Sequence, residues 1–152
     1  YVRRGLAEKV WPSVVAFGYE NSEALGAKKF ESLGQRDDPT IAAIVPTVNF
    51  HNEIGKDRVE ERLRVIVDRL RAGVAEIPGA SILTPSDSAA SAAILVFSLS
   101  GISGQAAFEL LYGEYGVAVA PAAINDGLRF SPHIYNTLAD VDAALEALRT
   151  LA

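Results

Sequence analysis

Apolar and polar positions follow two different periods along this chain. Val59, Leu63, Ile66, Leu70 and Val74 recur at spacings of three and four. That predicts an amphipathic helix from Asp57 to the Pro78-Gly79 stop, with Glu60 completing a variant of the capping box. A helix is also expected to start at Pro39 behind an Asp38 cap. Ile41, Ile44, Val45, Val48 and Ile54 form its stripe, and Gly55 ends it. Residues 81–84 and 92–99 then read as strands. The second is apolar at nearly every position, as expected of a strand buried on both faces. A helix follows over residues 103–115, then strands at 117–120 and 128–130 around an Asn125-Asp126-Gly127 turn. The last helix starts after Thr137, which pairs with Asp140, and buries Val141, Ala144, Leu145, Leu148 and Leu151.

From residue 76 on, the order is therefore β-β-α-β-β-α. This is an α+β arrangement, a small antiparallel or mixed sheet with helices on one face. The first 38 residues have no such regularity. Residues 2–4 and 14–17 read as short strands, and 18–38 as a long loop. A loop of that length is usually functional, or wraps onto something outside the sequence.

Composition narrows the chemistry. The net charge is −5 and there is no cysteine, which excludes thiolate catalysis, disulfides and cysteine-held metals. His51 and His133 are the only histidines, neither in a metal-ligand spacing, so no metal is expected. Arg58, Arg62, Arg64, Arg69 and Arg71 are interleaved with acids and read as a solvated helix face, so nucleic acid is not an expected partner. No run approaches the ~18 apolar residues of a membrane span, and no leader-like segment follows Tyr1. A cytoplasmic location is the expectation. The chain contains no Met, even at its start, which points to a fragment or a processed product.

Three places can carry chemistry. Arg129 alternates with Leu128 and Phe130 and so points away from them, ahead of a Pro turn. It reads either as a surface arginine on an edge strand or as a two-toothed grip for a carboxylate. Gly34-Gln35-Arg36 lies before a helix start, where backbone N–H groups favour an anion. Asp37 and Asp38 compete for the same positive end. His133 is a possible acid or base, but a packed or solvated histidine is the plainer reading.

Residues 128–142, LRFSPHIYNTLADVD, resemble the C-terminal signature of the class V aminotransferases, pyridoxal-phosphate enzymes of fold type I. Residues 29–40, KFESLGQRDDPT, are similar to that family's stretch before the helix entering its C-terminal domain. Residues 49–85 resemble its linking helices and first small-domain strand, and YVRRG the strand after the cofactor lysine. SPHIYNT and GQRDD resemble the isopenicillin-N-epimerase-like branch most. The likeness implies the tail of an α/β large domain over 1–45 and a small domain over 46–152. It implies that Arg129 binds the α-carboxylate of an amino-acid substrate. Gly34 and Gln35 would approach the phosphate of pyridoxal 5'-phosphate, across a homodimer interface. Many family members have Thr where Gln35 stands. The Schiff-base lysine has no counterpart here, since Lys9, Lys28, Lys29 and Lys56 lie outside the lysine motif. A missing large domain or a partner chain would supply it. A non-catalytic α+β interaction module is the alternative.

Overall fold

The computed structural model describes residues 2–152, so Tyr1 of the YVRRG stretch lies outside the described residues. The chain divides into two compact units, residues 1–50 and 51–152.

The first unit is built of short helical turns rather than strands and a loop. α1 spans Arg4–Ala7 and α2 Ser22–Leu25, with 3-10 turns at Tyr19–Asn21 and Gly26–Phe30. Residues 2–4 and 14–17 form no strand. Turns this short need no apolar period, which is why the pattern did not register them. Little is buried here beyond Ala7, Pro12, Ser22 and Lys29, whose ammonium donates to the Glu8 carbonyl at 3.3 Å.

The helix expected from Pro39 onward is two helices, α3 (Asp38–Ala42) and α4 (Ile44–Ile54), separated at Ala43. Pro46 is the reason. It has no N–H for the Ala42 carbonyl, and its ring crowds that same carbonyl. Asp37, not Asp38, caps α3, accepting a hydrogen bond from Thr40 N–H at 3.3 Å. Neither helix has a buried residue, so the expected core stripe faces outward.

The second unit begins in the last turn of α4. Gly55, at φ +88°, redirects the chain into α5 (Lys56–Ala75). Gly55 takes the cap position, so the Asp57–Glu60 box does not form, and Glu60 pairs with Arg64 instead. Four strands follow: β1 (Ala80–Ile82), β2 (Leu95–Leu99), β3 (Ala120–Ala122) and β4 (Gly127–Phe130). They form one antiparallel sheet in the order β1-β2-β4-β3. α6 (Gly104–Tyr115) connects β2 to β3, and α7 (Leu138–Arg149) ends the fold. Asn125 and Asp126 adopt left-handed φ in the turn between β3 and β4. Thr137 and Asp140 form the expected reciprocal capping box.

Within this unit the helices cover one face of the sheet. Leu95, Phe97, Leu99, Leu128 and Phe130 pack against Ile66, Leu70 and Val74 of α5, Ala107 and Leu111 of α6, and Val141, Leu145 and Leu148 of α7. On the other face Val96 and Ser98 are half-buried, which corrects the expectation of a strand buried on both sides. Gly73 lets α5 and α7 approach, since a Cβ there would lie 2.2 Å from Leu145 Cδ1. Among the described residues no helix is long and apolar enough to cross a membrane.

Candidate functional site

Arg129 sits in the centre of the uncovered sheet face. β4 lies between β2 and β3, and the register sets Arg129 opposite Val96 on one side and Ala120 on the other. Leu128 and Phe130 point into the core, so strand alternation sends Arg129 the other way. It is exposed, and it has no hydrogen-bond or ion-pair partner among the described residues. Paired strands on both flanks fix its backbone, while its guanidinium keeps all five donors available.

Most other arginines of this unit are engaged. Arg62 Nη2 donates to the Asn136 carbonyl at 2.7 Å, and Arg64 Nη2 to that of Ser88 at 3.2 Å. Arg69 grips Asp142 with two bonds of 2.7 and 2.8 Å. Arg71 donates to the carbonyls of Thr84 and Pro85. Three of these reach from α5 to the flanking connections and Arg69 reaches α7, while Arg58, Glu61 and Asp68 stay exposed on the solvated face the charge pattern suggested. The spacing carried a signal: Arg62 and Arg69, like Arg64 and Arg71, lie seven apart and so share a helix face.

The turn after β4 is closely specified. His133 N–H donates to Asn136 Oδ1 at 2.9 Å, and Asn136 N–H returns a bond to the His133 carbonyl at 3.0 Å. Arg62 then holds the Asn136 carbonyl. The rings of His133 and Tyr135 lie 4.6 Å apart, both exposed. Thr137 N–H donates to Asp140 Oδ2 at 2.8 Å, and Asp140 N–H to the Thr137 hydroxyl at 3.1 Å. The bond from Thr137 N–H, reinforced by the Thr137 side chain, holds the Asp140 carboxyl below its ordinary range. A 430 Å³ cleft beside this turn is lined by Phe130, Ser131, Pro132 and Asn136, with Tyr115 opposite. A 620 Å³ groove runs along α5 by Lys56, Val59 and Leu63. Arg129 lines neither.

In the first unit, Gly34 has φ +89° and open space where a side chain would stand. Gln35 is exposed with no partner among the described residues. Arg36 donates to the Glu31 carbonyl. The positive end of α3 is taken by Asp37, whose carboxyl is held low by the Thr40 hydroxyl and then by Thr40 N–H. Among the described residues no cluster of acids or histidines is placed to hold a metal.

No family model matches the chain. It is 27% identical to isopenicillin N epimerase of Streptomyces clavuligerus, over 97% of this chain and 41% of that protein. It is 29% identical to isopenicillin N epimerase of Amycolatopsis lactamdurans, over 82% of this chain and 32% of that protein. The chain thus spans well under half the length of these relatives. A cysteine desulfurase from Thermococcus onnurineus superposes with a TM-score of 0.77 at 18% identity, covering 99% of this chain and 42% of that one. So does a C-DES mutant with glycine covalently linked to its pyridoxal-phosphate cofactor, with a TM-score of 0.70 at 20% identity over 82% of this chain and 32% of the other.

The fold is the one these solved structures share over about a third to two fifths of their length, and it resembles the C-terminal portion of class V aminotransferase-type enzymes, of which the C-DES structure carries pyridoxal phosphate. The curated relatives the chain resembles are both named isopenicillin N epimerase. The structural likeness to desulfurases is one of fold, and this chain has no cysteine for a persulfide.

Proposed function

We propose that this chain is the C-terminal part of a pyridoxal-phosphate-dependent enzyme acting on an amino acid, in which Arg129 binds the substrate α-carboxylate. The observation that carries this reading is the unpartnered guanidinium of Arg129 on the open sheet face, between the small flanking residues Val96 and Ala120. A planar fork held by a rigid strand matches a carboxylate in two bonds, whatever side chain the amino acid bears.

The residues present fit the rim of such a site, not its anchor. Lys29 is buried on the Glu8 carbonyl, and no lysine stands in a cofactor-lysine motif. The lysine therefore comes from the part of the parent that precedes this chain, or from a partner chain. Gly34 and Gln35 approach the cofactor phosphate, across a homodimer interface. The open backbone at Gly34 and the free amide of Gln35 support that role. Residues 1–45 are the tail of the large domain, and 46–152 the small domain. When bound, the cofactor supplies an electron sink for bonds at the amino acid α-carbon. Arg129 contributes binding and orientation, fixing which α-bond is presented.

The experiment is a cofactor-band titration of the full-length gene product with amino acids, for wild type and Arg129→Ala. A band that shifts with amino acid in the wild type, and only at much higher concentration in the variant, is expected. Absence of any cofactor band would replace this reading with a non-catalytic α+β module. A wild-type shift unchanged by the variant would remove Arg129 from the site.

A further inference from the structure

Asn125 and Asp126, at φ +51° and +49°, are the only non-glycine residues in the left-handed region among those described. They lie in the turn that joins β3 to β4, just ahead of Arg129. Such a backbone is unfavourable for residues with side chains and persists where the surroundings hold it. Here α6, the turn and β2 converge. The Gly104 N–H, at the start of α6, donates to Asp126 Oδ1 at 3.2 Å. A Cβ on Gly104 would run into the Gly127 carbonyl, and one on Gly127 into the Phe97 carbonyl of β2. What this clamp secures is β3. β4 needs no such help, because Leu128 and Phe130 are buried and a slip of one residue would expose both. β3 has three residues, none of them buried, and Pro121 lacks an N–H for the ladder. Val119 before it is only partly covered. Yet the register of β3 decides what stands beside Arg129, and as folded that residue is Ala120. A slip of one residue would bring Val119 or Pro121 there, each bulkier against the guanidinium.

We propose that Asp126 is a positioning residue for Arg129. By holding the turn onto Gly104 it keeps Ala120, and no larger side chain, beside the guanidinium, which leaves room for both oxygens of a carboxylate. The proposal rests on the reading of Arg129 as the carboxylate-binding arginine. Asp126 acts through β3 and not by contact with the ligand, since its Oδ1 is taken by an amide of α6.

The test uses the full-length gene product and follows the cofactor band with an amino acid and with the amine that lacks its carboxylate. The preference for the amino acid over the amine isolates the contribution of the carboxylate, which a loss of stability alone does not move. Asp126→Gly keeps the left-handed backbone and removes the acceptor, and should reduce that preference by about 3- to 10-fold. Asp126→Asn retains an acceptor oxygen and tolerates the same backbone, so it should keep the wild-type preference. Ala120→Val leaves the turn intact and imitates the slipped neighbour. It should reduce the preference as well, and it decides the matter even if Asp126→Gly fails to fold. An unchanged preference in Asp126→Gly or in Ala120→Val, while Arg129→Ala abolishes it, overturns the proposal and leaves the reading of Arg129 standing. A loss in Asp126→Asn also overturns it, because charge and not the bond to Gly104 would then matter. If Arg129→Ala leaves the preference unchanged, or no band forms, the reading of Arg129 fails and this proposal falls with it.

Discussion

Arg129 differs from Arg62, Arg64, Arg69 and Arg71 in being held by its backbone while its side chain is left unengaged. Charge-assisted bonds to a carboxylate contribute about 1.5–3 kcal/mol, so Arg129→Ala should weaken amino-acid binding by about 10- to 100-fold. Arg129→Lys should recover only part, since an ammonium lacks the planar fork. The cofactor-band titration reads both, and equal affinity across all three forms would contradict the assignment. Asp140 offers a pH prediction. Its folded carboxyl is held low, first by Thr137 N–H. A depressed acid contributes stability above its unfolded value, and the contribution fades as pH falls through the folded value, below about 4. Thr137→Ala removes the hydroxyl part, so the Asp140 carbon resonance should titrate at higher pH than in wild type. An unmoved midpoint would mean the backbone bond alone sets it. Both residues were legible in the sequence, because strand alternation and a three-residue cap spacing are local rules. The Asp57–Glu60 box was not, because Gly55 at φ +88° offers the chain a different helix start and Arg64 takes Glu60.

At the scale of elements, the order β-β-α-β-β-α was legible because α5, α6 and α7 each bury one face against one sheet. The first unit was not, because turns of three to five residues leave no period to read. The break at Ala43 could have been read from Pro46, whose effect falls four residues upstream. Gly73 tests the packing of α5 on α7. Alanine there gains about 1 kcal/mol of helix propensity, but its Cβ meets the buried Leu145 side chain, and overpacking costs about 1–3 kcal/mol. The clash should win, for a net loss of about 1 kcal/mol in denaturant unfolding. Adding Leu145→Val should then cost less in the Gly73→Ala background than in wild type, a coupling that independent sites do not show. Additive losses would place the strain elsewhere.

Across the whole molecule, the two units differ in what they bury, and that difference makes the last prediction. Residues 51–152 enclose Phe97, Ile66, Leu95, Leu111 and Leu148 almost completely. Residues 1–50 bury almost nothing apolar of size and leave Trp11, Phe17, Leu33, Ile44 and Val45 in water. Local opening costs little where few apolar contacts are lost, so amides of the first unit should exchange within the earliest times of a native-state hydrogen-exchange series. Those of β2, β4 and α5 should exchange only near the global unfolding limit, because opening them exposes the shared core. In the full-length gene product the contrast should shrink at α3 and α4 where the exposed apolar side chains Ile41, Ile44, Val45 and Val48 become covered. If those amides stay unprotected in the full-length protein while β2 and β4 are fully protected, the helices have no seat there. Composition alone could not reveal this asymmetry. The apolar residues of the first unit are ordinary in number, and only their placement on the outside sets them apart.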